Sequence, residues 1–378
     1  MKTPAASFAV AAATPRELVS PLNELARHVT RPTAGMVFLA GDLAREATAV
    51  AREIARTWPG LPTVVASGAG VMSEHAAFEG QPAAAGILFS GRTAKAFVAR
   101  AASPDELGPS LAAAVGEATD GRAASVPLFV TPELWTPEAL VPVAAAHPHA
   151  HLFGGGTLDD TLPIAITEQG AILSGNAAGL ALAGPPAVIG ISPAYRALGD
   201  GSLEVTEARG PVVLTLDGQP ALDALSRAAR GLEGRPMVLA LFPSASDPTG
   251  RRAARVRPIR GVDPTRKAVV LGEPVRVGAR LGFAVLDGAA ARNDLEATLR
   301  DVRRRAAGAA MRFGLYTGCA GRGSALYGSS GVDARLVRSA FPGLPFAGVM
   351  SSFEIAPEGA RAAMHLYTGV LSLFTAPS

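Results

Sequence analysis

Two breaks in the chain, Trp58-Pro59-Gly60-Leu61-Pro62 and Phe341-Pro342-Gly343-Leu344-Pro345, match in all but their first, aromatic residue. Each follows a stretch of helical periodicity and precedes a short apolar run. Glycine accepts the left-handed conformation that ends a helix, and proline stops the helix from continuing. Each break therefore predicts a helix that hands the chain to a strand. His147-Pro148-His149-Ala150-His151 is a looser copy. The chain reads as three related strand–helix–strand units. Their first strands are predicted over 36–40, 127–131 and 311–318, and their helices over 42–56, 137–146 and 333–340. Their second strands follow at 63–66, at 147–153 and after Pro345. A loop ends each unit. The second carries Gly154-Gly155-Gly156 through Asp160, and the third carries Ser351-Ser352-Phe353-Glu354. Asp160 and Glu354 fall at the same offset from their breaks. The first unit has Val71 there, and Glu74 arrives three residues later. Loops at strand ends are where α/β sheets bind ligands.

Other periodic stretches predict a helix over 15–30, a strand over 84–90 and a helix over 92–117, with Ser103-Pro104-Asp105 as a start signal. Apolar runs follow over 164–174 and 177–184. Between the second and third units, strands are predicted over 203–206, 212–216, 235–242, 256–259, 268–271 and 282–286. Helices are predicted there over 220–231 and 293–306, and a strand over 364–374 closes the chain. The expected fold class is α/β, with mixed sheets built from repeated strand–helix–strand units and covered by helices. A length of 378 residues is long for one domain. We expect two modules, over 30–195 and 196–376.

Hydrophobic residues make up 48% of the chain, but aromatics only 5%. The apolar content is therefore largely alanine, and no run reaches the roughly 18 apolar residues that a membrane helix needs. Met1 to Thr14 lacks the charged segment and apolar core of a secretion signal. The net charge of +3 is small for this length and forms no dense basic stripe, which argues against nucleic acid as a partner. A single cysteine, Cys319, excludes an internal disulfide framework and fits the cytoplasm best. The chain has no Gly-x-Gly-x-x-Gly opening a helix, no phosphate-binding loop ending in Lys-Ser/Thr, and no Gly-x-Ser-x-Gly elbow. Familiar nucleotide, phosphoryl and hydrolase chemistry is not expected, and neither is a cofactor.

Several residues could carry function. Gly318-Cys319-Ala320-Gly321-Arg322-Gly323 follows a predicted strand. Its glycines let backbone N–H groups approach an anion, and Arg322 offers a planar fork to a carboxylate. The same sequence also suits a tight turn with Arg322 on the surface. Cys319 is either a buried, inert thiol or a nucleophile, and the second would make the chain a hydrolase or transferase. Glu354 and Asp160 could receive a ligand ammonium or cap backbone donors. His147, His149 and His151 alternate, so on one strand they would share a face, exposed or metal-binding. The arginines at 251, 252, 255, 257 and 260 could meet an acidic partner or form a solvated face.

The C-terminal half resembles the FIST family. The resemblance rests on Val205-Thr206, Leu216-Asp217-Gly218-Gln219-Pro220-Ala221, Arg257-Pro-Ile-Arg-Gly-Val-Asp263 and Val277-Gly278. It continues through Gly318 to Gly323, Leu326-Tyr327-Gly328, Phe341 to Gly348 and Glu354-Ile355. The N-terminal half resembles the family more loosely, near Pro59 and from Gly154 to Asp160. The resemblance implies a sensory domain that binds a small ligand, with amino acids a proposed class, and passes the signal to an unidentified protein partner. It implies pocket positions at Cys319, Arg322 and Gly323, at Ser351 and Glu354, at Gly155 and Asp160, and at Arg260, which lies in a family-like motif. On this reading Arg322 and Glu354 converge on one hollow and hold the two charges of a zwitterion.

Overall fold

The computed structural model describes residues 2–158, 161–232, 236–243 and 255–376. In each of the three units the two strands lie side by side and parallel. Ala34–Ala40 pairs with Thr63–Gly68, Ala124–Val130 with Ala150–Gly156, and Met311–Cys319 with Phe346–Ser351. The helices between them are Ala47–Thr57, Leu140–Ala146 and Val332–Ala340. Each ends alike. Trp58 (φ −119°, ψ 62°), His147 (φ −132°, ψ 64°) and Phe341 (φ −130°, ψ 71°) share nearly one backbone conformation. Each donates its N–H to the carbonyl four residues back, at 2.7, 2.8 and 3.0 Å. Gly60 and Gly343 follow at φ +75° and +76°, a region glycine enters without the Cβ penalty. The matching breaks thus produce matching turns.

The chain divides into two compact units. One contains Met1–Pro193, Arg292–Met364 and Thr368–Ser378; the other contains Ala194–Ala291 and His365–Tyr367. These compact units do not follow the modules expected over 30–195 and 196–376, because the third strand–helix–strand unit packs with the first two. The physical reason is strand pairing. Phe346–Ser351 continues its sheet through Gly70–Ser73 of the first strand–helix–strand unit.

The larger unit holds three six-stranded sheets. The first runs Ala5–Ala11, Ala83–Phe89, Ala34–Ala40, Thr63–Gly68, Ile164–Ile166, Ile172–Ser174. The second has Glu354–Glu358, Ala150–Gly156, Ala124–Val130, Ala177–Ala183 and Ala94–Ala99 in order, with Arg361–His365 at its edge. The third runs Val188–Pro193, Thr368–Thr375, Met311–Cys319, Phe346–Ser351, Gly70–Ser73, Ala77–Glu79. Rings from all three meet in one seam. Phe313 stacks between Phe89 and Phe374 at 4.3 Å from each, Phe38 meets Phe129 edge-on at 5.3 Å, and Phe153 reaches Phe374. Such pairs add about 0.5–1.5 kcal/mol each beyond area burial. With few aromatics in the chain, their concentration here marks the seam as the main organiser of the core. The helices cover the outer faces, with Leu22, Leu25, Val50, Ile54 and Trp58 in one buried cluster and Leu299, Val302, Val337 and Phe341 in another.

The smaller unit is a separate all-antiparallel sheet. Its order is Tyr195–Arg209, Arg280–Leu286, Val238–Phe242, Arg255–Asp263, Ala268–Leu271, Val212–Leu216, Gln219–Pro220. Tyr195–Arg209 also pairs with Val212–Leu216, so the ladder returns to its first strand. Val205, Val213, Leu271, Phe283 and Val285 fill its interior, against helix Ala221–Ala228.

Two sequence expectations change here. The helix predicted over 92–117 begins only at Pro104, and Ala94–Ala99 is a strand paired with Ala177–Leu182. The Phe97 ring lies over Gly179, so cross-strand packing overrides the helical tendency of alanine. The strand expected from His147 starts at Ala150. His147 instead ends a helix and places its ring Nε2 2.8 Å from the Ala112 carbonyl, so the three histidines share no strand face. Among the described residues no helix is long and apolar enough to cross a membrane.

Candidate functional site

The strand Met311–Cys319 determines where the candidate residues go, because its side chains alternate between two faces. Phe313 and Leu315 enter the aromatic seam. Tyr316 points the other way, toward helix Val332–Ala340. The neighbouring strand Thr368–Thr375 alternates likewise, with Phe374 in the seam and Leu371 and Leu373 on the helix side. At the C-terminal ends of the parallel strands Met311–Cys319 and Phe346–Ser351, two buried polar clusters form, one on each face.

The helix-side cluster centres on Asp333, at the start of its helix and 5% exposed. Its carboxylate accepts two hydrogen bonds from Arg322, Nε at 2.8 Å and Nη2 at 3.2 Å, and one from each of the Tyr316 and Tyr327 hydroxyls at 2.7 Å. Arg322 Nη1 donates to the Ser192 carbonyl at 3.1 Å, and Nη2 also donates to Tyr327 at 2.9 Å. Burial works against the Arg322 charge, but Asp333 outweighs it and keeps the guanidinium protonated. Burial raises both tyrosines well above the usual phenol range, and the Asp333 charge adds to this. Arg322 is therefore a structural cation, spent on Asp333 and buried beneath the turn it belongs to. Glu79 completes the turn by accepting the Ser324 N–H at 2.8 Å and the Gly331 N–H at 3.1 Å. A Cβ on Gly323 would lie 2.6 Å from Glu79 Oε2, so a larger residue would press on this clamp.

The seam-side cluster centres on Glu354, which is fully buried. Oε1 lies 2.9 Å from Ser351 Oγ, which lies 3.3 Å from the Gly318 carbonyl. Oε2 accepts from Thr368 twice, from N–H at 3.2 Å and from Oγ1 at 2.7 Å. Among the described residues no cation pairs with it. Burial accordingly pushes its pKa up to about 8, against the lowering effect of the Thr368 and Ser351 hydrogen bonds and of the more distant Arg322 charge. The neutral acid can donate to Ser351 Oγ, which passes its own proton to the Gly318 carbonyl, so every partner is satisfied. Cys319 pairs with Ser351 in the strand register and is 5% exposed.

Gly155 belongs to this cluster. It is the strand partner of Glu354, and the Gly156 N–H donates to the Phe353 carbonyl at 2.8 Å. A Cβ on Gly155 would sit 2.5 Å from the Phe353 carbonyl oxygen and 2.9 Å from Ser351 Oγ. The glycine run is thus where the second unit's strand must approach the third unit's loop. Gly155→Ala should cost about 1–3 kcal/mol through overpacking, measured by urea unfolding. An unchanged midpoint would contradict this fit.

The convergence of Arg322 and Glu354 on one hollow is corrected. Consecutive residues of one strand separate them: Thr368 bonds Glu354, while a Cβ on Gly369 would face Arg322 Nε at 3.2 Å on the opposite side. The structure does bring together Cys319, Ser351, Glu354 and Gly155. Arg260 is exposed on the strand Arg255–Asp263 of the smaller unit. Asp160 lies outside the described residues, as do Arg251 and Arg252. Arg257, expected on a solvated face, is buried and paired with Glu273. Glu74 caps the Phe346 N–H at 3.0 Å, a backbone role. The sequence reading missed Asp333, Tyr316, Thr368 and Glu79. Among the described residues no group of three His, Cys, Asp or Glu side chains is placed to hold a metal ion.

The burial of Cys319 sets its accessibility. Labelling by a disulfide reagent at neutral pH should be slow and should accelerate in step with unfolding as denaturant is added. Rapid stoichiometric labelling of the native protein would instead favour a nucleophile.

Comparison with known proteins gives matches in the same frame. Residues 33–219 match the FIST N domain and residues 221–357 the FIST C domain. Uncharacterized proteins of Mycobacterium tuberculosis and Mycobacterium bovis are 30% identical over 212 residues. That is 54% of this chain and 55% and 54% of the respective relatives, so the chain spans about half the length of the curated relatives it matches.

Proposed function

Because the chain belongs to the FIST family, whose domains are generally sensory domains of signal transduction, we propose that it is a receptor for a small ammonium-bearing metabolite, amino acids foremost, which it binds without altering it. The observation that carries this reading is Glu354, an ionisable carboxyl buried with no ion-pair partner among the described residues, at the C-terminal ends of parallel strands. Such a group is costly to charge alone and inexpensive to charge beside a cation. A ligand ammonium reaching it would convert the acid to a carboxylate. Ser351 would turn its hydroxyl proton from the Gly318 carbonyl to the carboxylate. Thr368 would go on donating. The ligand's own carboxylate must find other donors, since Arg322 is occupied. Binding stabilises the arrangement that holds the charged Glu354, and a signalling partner distinguishes that state. A cytoplasmic location, supported by the lone cysteine, belongs to the same reading.

A thermal-shift panel of the proteinogenic amino acids and simple amines tests it. At least one should raise the melting temperature of the wild type, and Glu354→Gln should lose that shift. No stabilisation by any compound, or the same shift in the variant, would overturn the assignment.

A further inference from the structure

At the opposite end of the strand Met311–Cys319 lies a hollow of about 530 Å³. That volume falls within the range of about 300–1,000 Å³ typical of small-molecule pockets. Its walls mix apolar side chains, Pro4, Met311 and Pro342 among others, with polar surface, and no acidic side chain lines it among the described residues. Two arginines border it, Arg303 from the last turn of helix Gly288–Arg305 and Arg312 from the strand. Their neighbours Arg304 and Arg305 both pair with Asp301. Among the described residues the side chains of Arg303 and Arg312 have no hydrogen-bond or ion-pair partner. Arg303 is exposed and Arg312 half-buried. Met311, beside it, leaves 40% of its surface exposed. A partly apolar hollow edged by two unspent guanidinium groups has the complement of an amphipathic anion, with an apolar body for the apolar wall and a carboxylate for the forks.

We infer that this hollow binds a carboxylate with an apolar tail, such as a medium-chain fatty acid. The carboxylate lies between Arg303 and Arg312, and the tail lies against Pro4, Met311 and Pro342, whose side chains are not buried in the core. The site is separate from Glu354 and does not depend on the reading given for it.

Calorimetric titration with sodium octanoate tests the inference, with octan-1-ol as the uncharged counterpart. Octanoate should bind saturably. Its affinity should fall tenfold or more in Arg312→Gln and further in the Arg303→Gln/Arg312→Gln double variant, with octan-1-ol bound at least tenfold more weakly than octanoate. Glu354→Gln should bind octanoate as the wild type does. No saturable heat with octanoate, equal affinity for the alcohol, or indifference to Arg312→Gln would each overturn the inference. Loss of octanoate binding in Glu354→Gln would overturn the assignment to this hollow.

Discussion

Asp333→Ala should lower the unfolding free energy by about 3–5 kcal/mol, the usual cost of stranding one partner of a buried ion pair. Arg322, 3% exposed, would keep its charge and lose both hydrogen bonds to the carboxylate. The hydroxyls of Tyr316 and Tyr327 would lose the same acceptor. The loss comes mainly from what is left unpaired, so the double variant Arg322→Met/Asp333→Leu should recover much of it. Urea unfolding of the three proteins measures this. A loss under 1 kcal/mol in Asp333→Ala would show that the guanidinium finds water, and that the turn from Gly318 to Gly331 is looser than its hydrogen bonds imply.

Glu354→Gln should change how stability depends on pH. The carboxyl has an ordinary value of 4.5 and a folded value of about 8. Below 4.5 it is protonated both folded and unfolded, and its contribution is constant. Between the two values the folded protein holds a proton that the unfolded chain has released, so stability falls as pH rises, by about 1.4 kcal/mol per unit. By about pH 9 the loss is nearly complete, on the order of 4–5 kcal/mol. Glutamine at this position can turn its carbonyl to the Thr368 donors and its amide to Ser351 Oγ, so it fits the same contacts without titrating. Relative to wild type, the variant should gain stability steadily from about pH 5 to about pH 9. Parallel pH profiles for the two proteins would mean that Glu354 is already ionised when folded.

Much of the fold was legible because its signals are local. The Pro-Gly-Leu-Pro breaks, read through the chemistry of one glycine and two prolines, give the helix-to-strand turns found at Trp58 and Phe341. Periodicity located most strands. Signals failed where the decision is made by a distant residue. Ala94–Ala99 reads as helix until Gly179 offers a place for Phe97. The return of residues 292–364 to the first unit depends on a strand pairing with Gly70–Ser73, invisible to any window. At the site, sequence brought forward Gly155, Cys319, Ser351 and Glu354, because glycine runs and a loop acid stand out. It assigned Arg322 to a ligand because an arginine in a glycine turn looks available. Its true partner, Asp333, reads only as a helix-start acid eleven residues later. Strand alternation, which puts Thr368 and Gly369 on opposite faces, separates the two charges that spacing alone seemed to unite.

Ligand binding is expected to charge Glu354. The most direct test is calorimetric titration of the stabilising amino acid at pH 7 in two buffers of different ionisation heat. The wild type should release about one proton per ligand bound, seen as a binding heat that differs between the two buffers. Binding heats independent of buffer in the wild type would contradict the claim that a neutral Glu354 is what the ligand meets.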